Sequence, residues 1–216
     1  MGMRVFQIPK GFSSLFPNML WRKIDSKNSH PTLYLTFDDG PDPEVTLQVL
    51  EILKNFNAHA TFFVVGENVQ KHPEVLRKIK DFGHSIGNHT HNHIKGWNSK
   101  NDIYVENVQQ CSDVLNVNGI NTQLFRPPYG RIKPKQSKLL REKGHIICMW
   151  DILTYDYDKT LDLPKSIERI ERFARNGSLV VFHDSQKSKN QTLIMLPELL
   201  KRWAGKFTFK PLPQNV

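Results

Sequence analysis

A chain of 216 residues, 38 % hydrophobic and 24 % charged, is the size of one domain with a real core, and no apolar run in it approaches the ~20 residues of a membrane-spanning helix. Lys and Arg number 30 against 21 Asp and Glu, a net charge of +9. The cations are spread over helical faces of mixed sign, with no aromatic-interleaved basic tract, so nucleic acid is excluded as the expected partner.

The N-terminal extension, 1–30, precedes the main domain, 31–216. Its opening, MGMRVFQIPKGFSSLFPNMLWRKID, lacks the apolar run and small-residue cleavage site of a signal peptide. A cytoplasmic or membrane-peripheral location is therefore expected. Phe12, Leu15, Phe16, Met19 and Leu20 make an apolar stripe beside Arg22 and Lys23. The stripe is expected to pack on the body of the protein; an interfacial contact with lipid is the alternative.

LYLTF (33–37) reads as a strand that ends in DDGPDPE, where Asp42-Pro43 suits a helix N-cap followed by Pro. Val45, Val49, Ile52 and Leu53 then recur at helical spacing. ATFFVVG is a second strand, HPEVLRKIKDFG a helix, and HSIGNH a third strand running into a histidine cluster. A helix over about 99–118 precedes the strand and stiff turn of TQLFRPPYG. KPKQSKLLREKG is a helix, HIICMWD a strand and LPKSIERIERFARNG a helix, followed by SLVVFHD, a strand covered on both faces. QTLIMLPELLKRWAG reads as a last helix interrupted by Pro197, and KFTFKPL as a last strand. Cys111 and Cys148 form no C-x-x-C pair, and Cys148 reads as a buried small hydrophobe. About seven strand–helix units without a linker predict a single-domain α/β chain wound as one closed or nearly closed barrel.

In such a barrel, functional groups gather where strands end. Asp38 and Asp39 follow the first strand, His89 the third, Arg126 the fourth, Asp156 the fifth and His183 the sixth. His89 and His93 are spaced to share one face of a helical turn, with His91 projecting elsewhere, and two imidazoles with one carboxylate leave a zinc-like ion open to water. A polar loop is the other reading of this cluster. The adjacent aspartates point to opposite sides of extended backbone, so one could ligate a metal while the other accepts a proton. Alternatively they belong to an acidic turn. His183 could equally be a structural histidine, Asp184 an N-cap, and Arg126 a surface ion pair.

TFDDGP (36–41), HTHNH (89–93), RPPYG (126–130), WDILTYDY (150–157) and LVVFHD (179–184) resemble, in order and spacing, the five motifs of the polysaccharide deacetylases of the NodB homology type, carbohydrate esterase family 4. The resemblance runs from about residue 33 to the C-terminus and implies a distorted (β/α)7 TIM-like barrel over 31–216. It implies that Asp39, His89 and His93 bind a divalent metal, typically zinc. It further implies that Asp38 is the general base, His183 the general acid, Arg126 the holder of the base and Asp156 the group that orients the acid. The backbone N–H of Tyr129 would help to bind the oxyanion. Tyr157 and Val181 stand where the family usually has Trp and Leu, which bears on substrate fit. The expected function is metal-dependent removal of N-acetyl groups from a carbohydrate, an N-acetylglucosamine-containing polymer or glycolipid. The alternatives are hydrolysis of another amide or an O-acetyl ester, and a carbohydrate-binding protein without catalysis.

Overall fold

The computed structural model describes residues 4–9, 11–24 and 30–214; residues 1–3, 10 and 25–29 of the N-terminal extension lie outside the described residues. Every residue of β1 (Thr32–Asp38) is buried, as expected of an apolar run covered on both faces. β1 pairs in parallel with β2 (Ala60–Val64) on one side and β7 (Leu179–His183) on the other. Phe37 stacks between Phe62 and Phe182, with ring centroids 4.9 and 5.6 Å away, which binds the three strands in one aromatic layer.

Outward from β2 the sheet continues through β3 (Ser85–Asn88), β4 (Leu124–Phe125) and β5 (Ile146–Ile147), and outward from β7 it ends at β6 (Ile152–Leu153). β8 (Thr208–Phe209) pairs with the start of β1. The seven-strand path is a distorted (β/α)7 barrel, open between β5 and β6.

Helices cover the outside: α1 (Val45–Asn55), α2 (Gly66–Lys71), α3 (Pro73–Asp81), α4 (Asn101–Val117), α5 (Pro134–Glu142), α6 (Leu163–Phe173) and α7 (Lys189–Trp203). In the turn that leads into α1, Asp42 Oδ1 accepts the N–H groups of Glu44 at 2.9 Å and Val45 at 2.8 Å. Asp162 caps α6, which buries Ile167 and Ile170 at helical spacing.

Three expectations need correction. The interruption at Pro197 does not occur: α7 runs through it, because burial of Met195, Leu196, Leu199, Leu200 and Trp203 outweighs a proline cost of about 3 kcal/mol. HIICMWD is not one strand, since only Ile146–Ile147 pair before the chain turns into the two-residue β6. Asp156 therefore follows the sixth strand and His183 ends the seventh.

The described part of the extension lies on both open edges. Leu20 N–H donates to Ile147 O at 2.8 Å and Leu20 O accepts Met149 N–H at 2.7 Å; Ile8 N–H donates to Asp151 O at 3.0 Å and Phe6 O accepts Leu153 N–H at 2.9 Å. These bonds satisfy edge groups that would otherwise face solvent. Phe6 and Trp21 are buried, while Phe12, Leu15 and Phe16 are 41, 70 and 40 % exposed, so the apolar stripe is only partly covered. Among the described residues no helix is long and apolar enough to cross a membrane.

Candidate active site

The sheet register levels the strand ends. Asp38 is paired with Phe63 on one side and His183 on the other, and Asn88, the residue before His89, is paired with Val64 and Phe125. All of the predicted site residues therefore come to one end of the barrel. Asp38, Asp39, His89, His93, Tyr129 and His183 line a cleft of about 540 Å³ there. Arg126 and Asp156 lie beneath it, each fully buried.

Asp38 is 4 % exposed, and its Oδ1 accepts from Arg126 Nη1 at 2.8 Å. The guanidinium is held in turn by Thr36 Oγ1 (2.7 Å), Cys148 O (3.3 Å) and Met149 O (2.9 Å), over the Phe63 ring at 4.2 Å. Each arm of the arginine is occupied, so the carboxylate it holds has one orientation. The surface ion pair weighed for Arg126 is thereby replaced by a buried one.

Asp39 turns away from Asp38 because its φ is +82°. Its Oδ1 lies 3.1 Å from His93 Nε2 and 3.6 Å from His89 Nε2. Burial alone would raise the Asp39 pKa; the hydrogen bond to His93 and the charges of His183, His89 and His93 outweigh it and hold the carboxylate well below its usual range. Burial also pushes His89 down to about 4, which keeps that ring neutral. His89 Nδ1 sits 2.8 Å from Arg126 O, and since a carbonyl only accepts, Nδ1 carries the proton and Nε2 offers its lone pair to the cleft.

The histidine pair is right, but the helical turn expected to make it is absent. Residues 89–93 are loop, with Thr90 at φ +69° and His93 at φ +58°, and these two left-handed residues fold the rings to 5.1 Å apart. Asp39 and Tyr129 share that conformation, and such strain collects at functional sites. His91 faces the other way: its ring packs on Gly66, its N–H donates to Asn107 Oδ1 at 2.9 Å and its carbonyl accepts Glu67 N–H.

Across the cleft, His183 Nδ1 meets Asp156 Oδ1 at 2.7 Å, and Asp156 Oδ2 accepts both the His183 N–H and the Thr192 hydroxyl at 2.7 Å. Burial alone would lower the His183 pKa, but the Asp156 charge and hydrogen bond, with Asp39 and Asp38, raise it to about 9. Tyr129, at φ +60°, lays its ring 4.7 Å from that of His93. Tyr157 stands perpendicular to His183 at 5.1 Å, and Val181 also lines the cleft.

The sequence reading missed two groups that fix the Asp39 loop. Asn68, on the unforeseen α2, donates to Asp39 O at 2.8 Å. Asp184, weighed as an N-cap, caps no helix: it is buried and accepts Gly40 N–H at 3.1 Å and the Thr46 hydroxyl at 2.5 Å. Burial raises its pKa to about 7 against those hydrogen bonds. A side chain at Gly40 would strike Asp184, so the glycine of DDGP was the one local signal of a close neighbour.

One ligand atom each from Asp39, His89 and His93 lie within 4.8 Å of one another. Two imidazole nitrogens and a carboxylate, one ring neutral and oriented through its other nitrogen, with an open cleft in front, suit a divalent ion of the zinc type. The set fits a catalytic site better than a closed structural one.

Residues 25–147 match the family model for polysaccharide deacetylases. A peptidoglycan-N-acetylglucosamine deacetylase of Bacillus cereus is 33 % identical over 180 residues, covering 81 % of this chain and 84 % of that protein. A peptidoglycan-N-acetylmuramic acid deacetylase of Bacillus subtilis is 32 % identical over 69 % of this chain but is longer, the match spanning 32 % of it. The crystal structure of a peptidoglycan N-acetylglucosamine deacetylase superposes with a TM-score of 0.85 at 28 % identity, over 94 % of this chain and 95 % of that one.

Proposed function

The chain belongs to the polysaccharide deacetylase family, and from that premise we propose that it is a metal-dependent hydrolase that removes N-acetyl groups from a glycan containing N-acetylglucosamine and releases acetate. The observation that carries the reading is one cleft with three kinds of group in it. Asp39, His89 and His93 form a ligand set, Arg126 holds Asp38 beside it, and Asp156 holds a protonated His183 opposite.

An amide is a poor electrophile and an amine a poor leaving group, so hydrolysis needs an activated water, an oxyanion site and a proton for nitrogen. Asp39, His89 and His93 would hold the metal, zinc by the donor set, which supplies Lewis acidity and brings the pKa of a water toward ~7. Asp38, fixed by Arg126 at 2.8 Å, removes the proton from the attacking water. The Tyr129 backbone N–H donates to the oxygen that becomes anionic as the tetrahedral centre forms. His183 gives its Nε2 proton to the departing nitrogen while Asp156 holds the imidazolium through Nδ1. Acetate and a free amino sugar result.

Acetate release from an N-acetylglucosamine oligomer, run beside an O-acetylated xylan, tests the reading with metal-loaded protein. Release from the first at least ten times faster is the expected result. Release only from the ester would replace N-deacetylation with ester hydrolysis, and release from neither would leave a glycan-binding protein.

A further inference from the structure

α4 buries Tyr104, Asn107, Val108, Cys111 and Leu115, so one amide side chain stands in a stripe that is otherwise aromatic, aliphatic or thiol. A buried amide costs free energy unless its polar atoms find partners. The partners of Asn107 are not on its own helix. Its Oδ1 accepts the N–H of His91 at 2.9 Å and the N–H of Asn92 at 3.4 Å. Those two amides belong to the short loop between His89 and His93, the two imidazoles of the ligand set.

The two histidines are held by different means. His89 is fixed through its ring, with Nδ1 2.8 Å from Arg126 O, and through its N–H, which donates to Val64 O at 2.9 Å. His93 Nε2 faces Asp39 at 3.1 Å. Among the described residues, no hydrogen bond reaches its other ring nitrogen or either of its peptide groups. A histidine that ligates a metal is ordinarily oriented by a bond on its second nitrogen. Without one, the His93 ring takes its direction from its backbone, whose φ of +58° is reached through His91 and Asn92.

That backbone is accounted for group by group. Thr90 N–H donates to Asn88 Oδ1 at 2.8 Å, and Asn88 is itself anchored on α4, its Nδ2 donating to Val108 O and Ser112 Oγ. Thr90 O and His91 O accept the Gly66 and Glu67 N–H groups at the start of α2, at 3.0 and 2.8 Å. The amides of His91 and Asn92 share one acceptor, Asn107 Oδ1, and it is the last tie before His93.

We propose that Asn107 is a positioning residue for the metal. By holding the two peptides between the ligands it sets the His93 imidazole against His89 and Asp39, doing through the backbone what the Arg126 carbonyl does for His89 through the ring. The inference rests on the reading of Asp39, His89 and His93 as metal ligands, and it adds a residue that touches neither metal nor substrate.

Zinc titration of chelator-stripped protein in competition with a chromophoric chelator tests it. Asn107→Leu keeps roughly the size of the side chain without the acceptor and raises the zinc dissociation constant about 10–100-fold. Asn107→Ala carries the same expectation should the leucine variant fail to fold. Asn107→Asp restores an acceptor at the same place and stays within about threefold of the wild type. Leu115→Ala opens a cavity under the same helix without touching the loop; it lowers the denaturation midpoint and leaves the zinc constant unmoved. A zinc constant unchanged by loss of the acceptor overturns the inference while the metal reading stands. So does a constant raised as much in Asn107→Asp or Leu115→Ala as in Asn107→Leu. A wild-type chain that takes up no zinc overturns the metal reading and the inference with it.

Discussion

Asp156 decides what His183 can do. Burial lowers the His183 pKa, and the charge and hydrogen bond of Asp156, with the charges of Asp39 and Asp38, outweigh it and keep a proton on the ring for the leaving nitrogen. Asp156→Asn is expected to lower kcat/KM about 10²–10⁴-fold at pH 8 and to shift the alkaline limb of the pH profile to lower pH; an unmoved limb would assign the proton donor elsewhere. The same shift makes a stability statement. His183 titrates at about 9 in the folded chain against 6.5 unfolded, so its stabilisation is complete below about pH 6.5 and is lost as pH rises through 9. The metal-free protein should therefore lose denaturation midpoint over that window, and Asp156→Asn should flatten the slope. Asp38 and Arg126 make a second pair. Asp38→Ala leaves a buried guanidinium without its counter-charge and is expected to cost about 3–5 kcal/mol in urea unfolding. Asp38→Asn keeps the shape and should lower turnover by about 10²-fold or more. Residue identities at strand ends were legible in the sequence, but their partners were not. Asp184 meets Gly40 across 144 positions and Asn68 meets Asp39 across 29, and neither separation has a periodicity to reveal it.

Most of the longer elements followed their sequence signals. β1, β2 and β7 are apolar runs covered on both faces, and α1, α3 and α6 bury a stripe at helical spacing. Apart from the break expected at Pro197 in α7, the misreadings fall on short pieces. β6 has two residues and α2 six, too few for either period to show. His89 and His93 were paired by a helical spacing that the loop does not use; two left-handed residues make the same pair by another route. Such conformations are set by neighbours, as Asn68 and Asp184 set the loop of Asp39. Asp184→Ala strips the Gly40 N–H and Thr46 hydroxyl of their acceptor. It is expected to cost about 1–3 kcal/mol and to weaken zinc binding about 10–100-fold. An unchanged zinc dissociation constant would make Asp184 a packing residue alone. The extension contributes at this scale too. Trp21 is buried against Phe12 and Phe16 where the chain bridges β5 and β6, so Trp21→Ala is expected to cost about 3–5 kcal/mol by thermal unfolding.

At the scale of the molecule, the barrel converts five distant stretches of sequence into one cleft. Parallel strands all finish at the same end, and the register of β1 with β7 sets Asp38 level with His183. The alternation of apolar runs with helical periods made that architecture legible, because parallel strands need a crossover between each pair. The open seam, and the use of the extension to cover it, had no sequence signal, since they depend on edge groups that are visible only once the sheet is assembled. The central claim is that Asp39, His89 and His93 hold a metal on which deacetylation depends. The most direct measurement is acetate release from an N-acetylglucosamine oligomer by chelator-stripped protein as zinc is added back. Wild-type protein and His91→Ala should be inactive when stripped and should rise to a plateau at a one-to-one ratio of zinc to chain, while His93→Ala stays near zero. Turnover by the stripped protein, or a His93→Ala curve that follows the wild type while His91→Ala fails, would contradict the account.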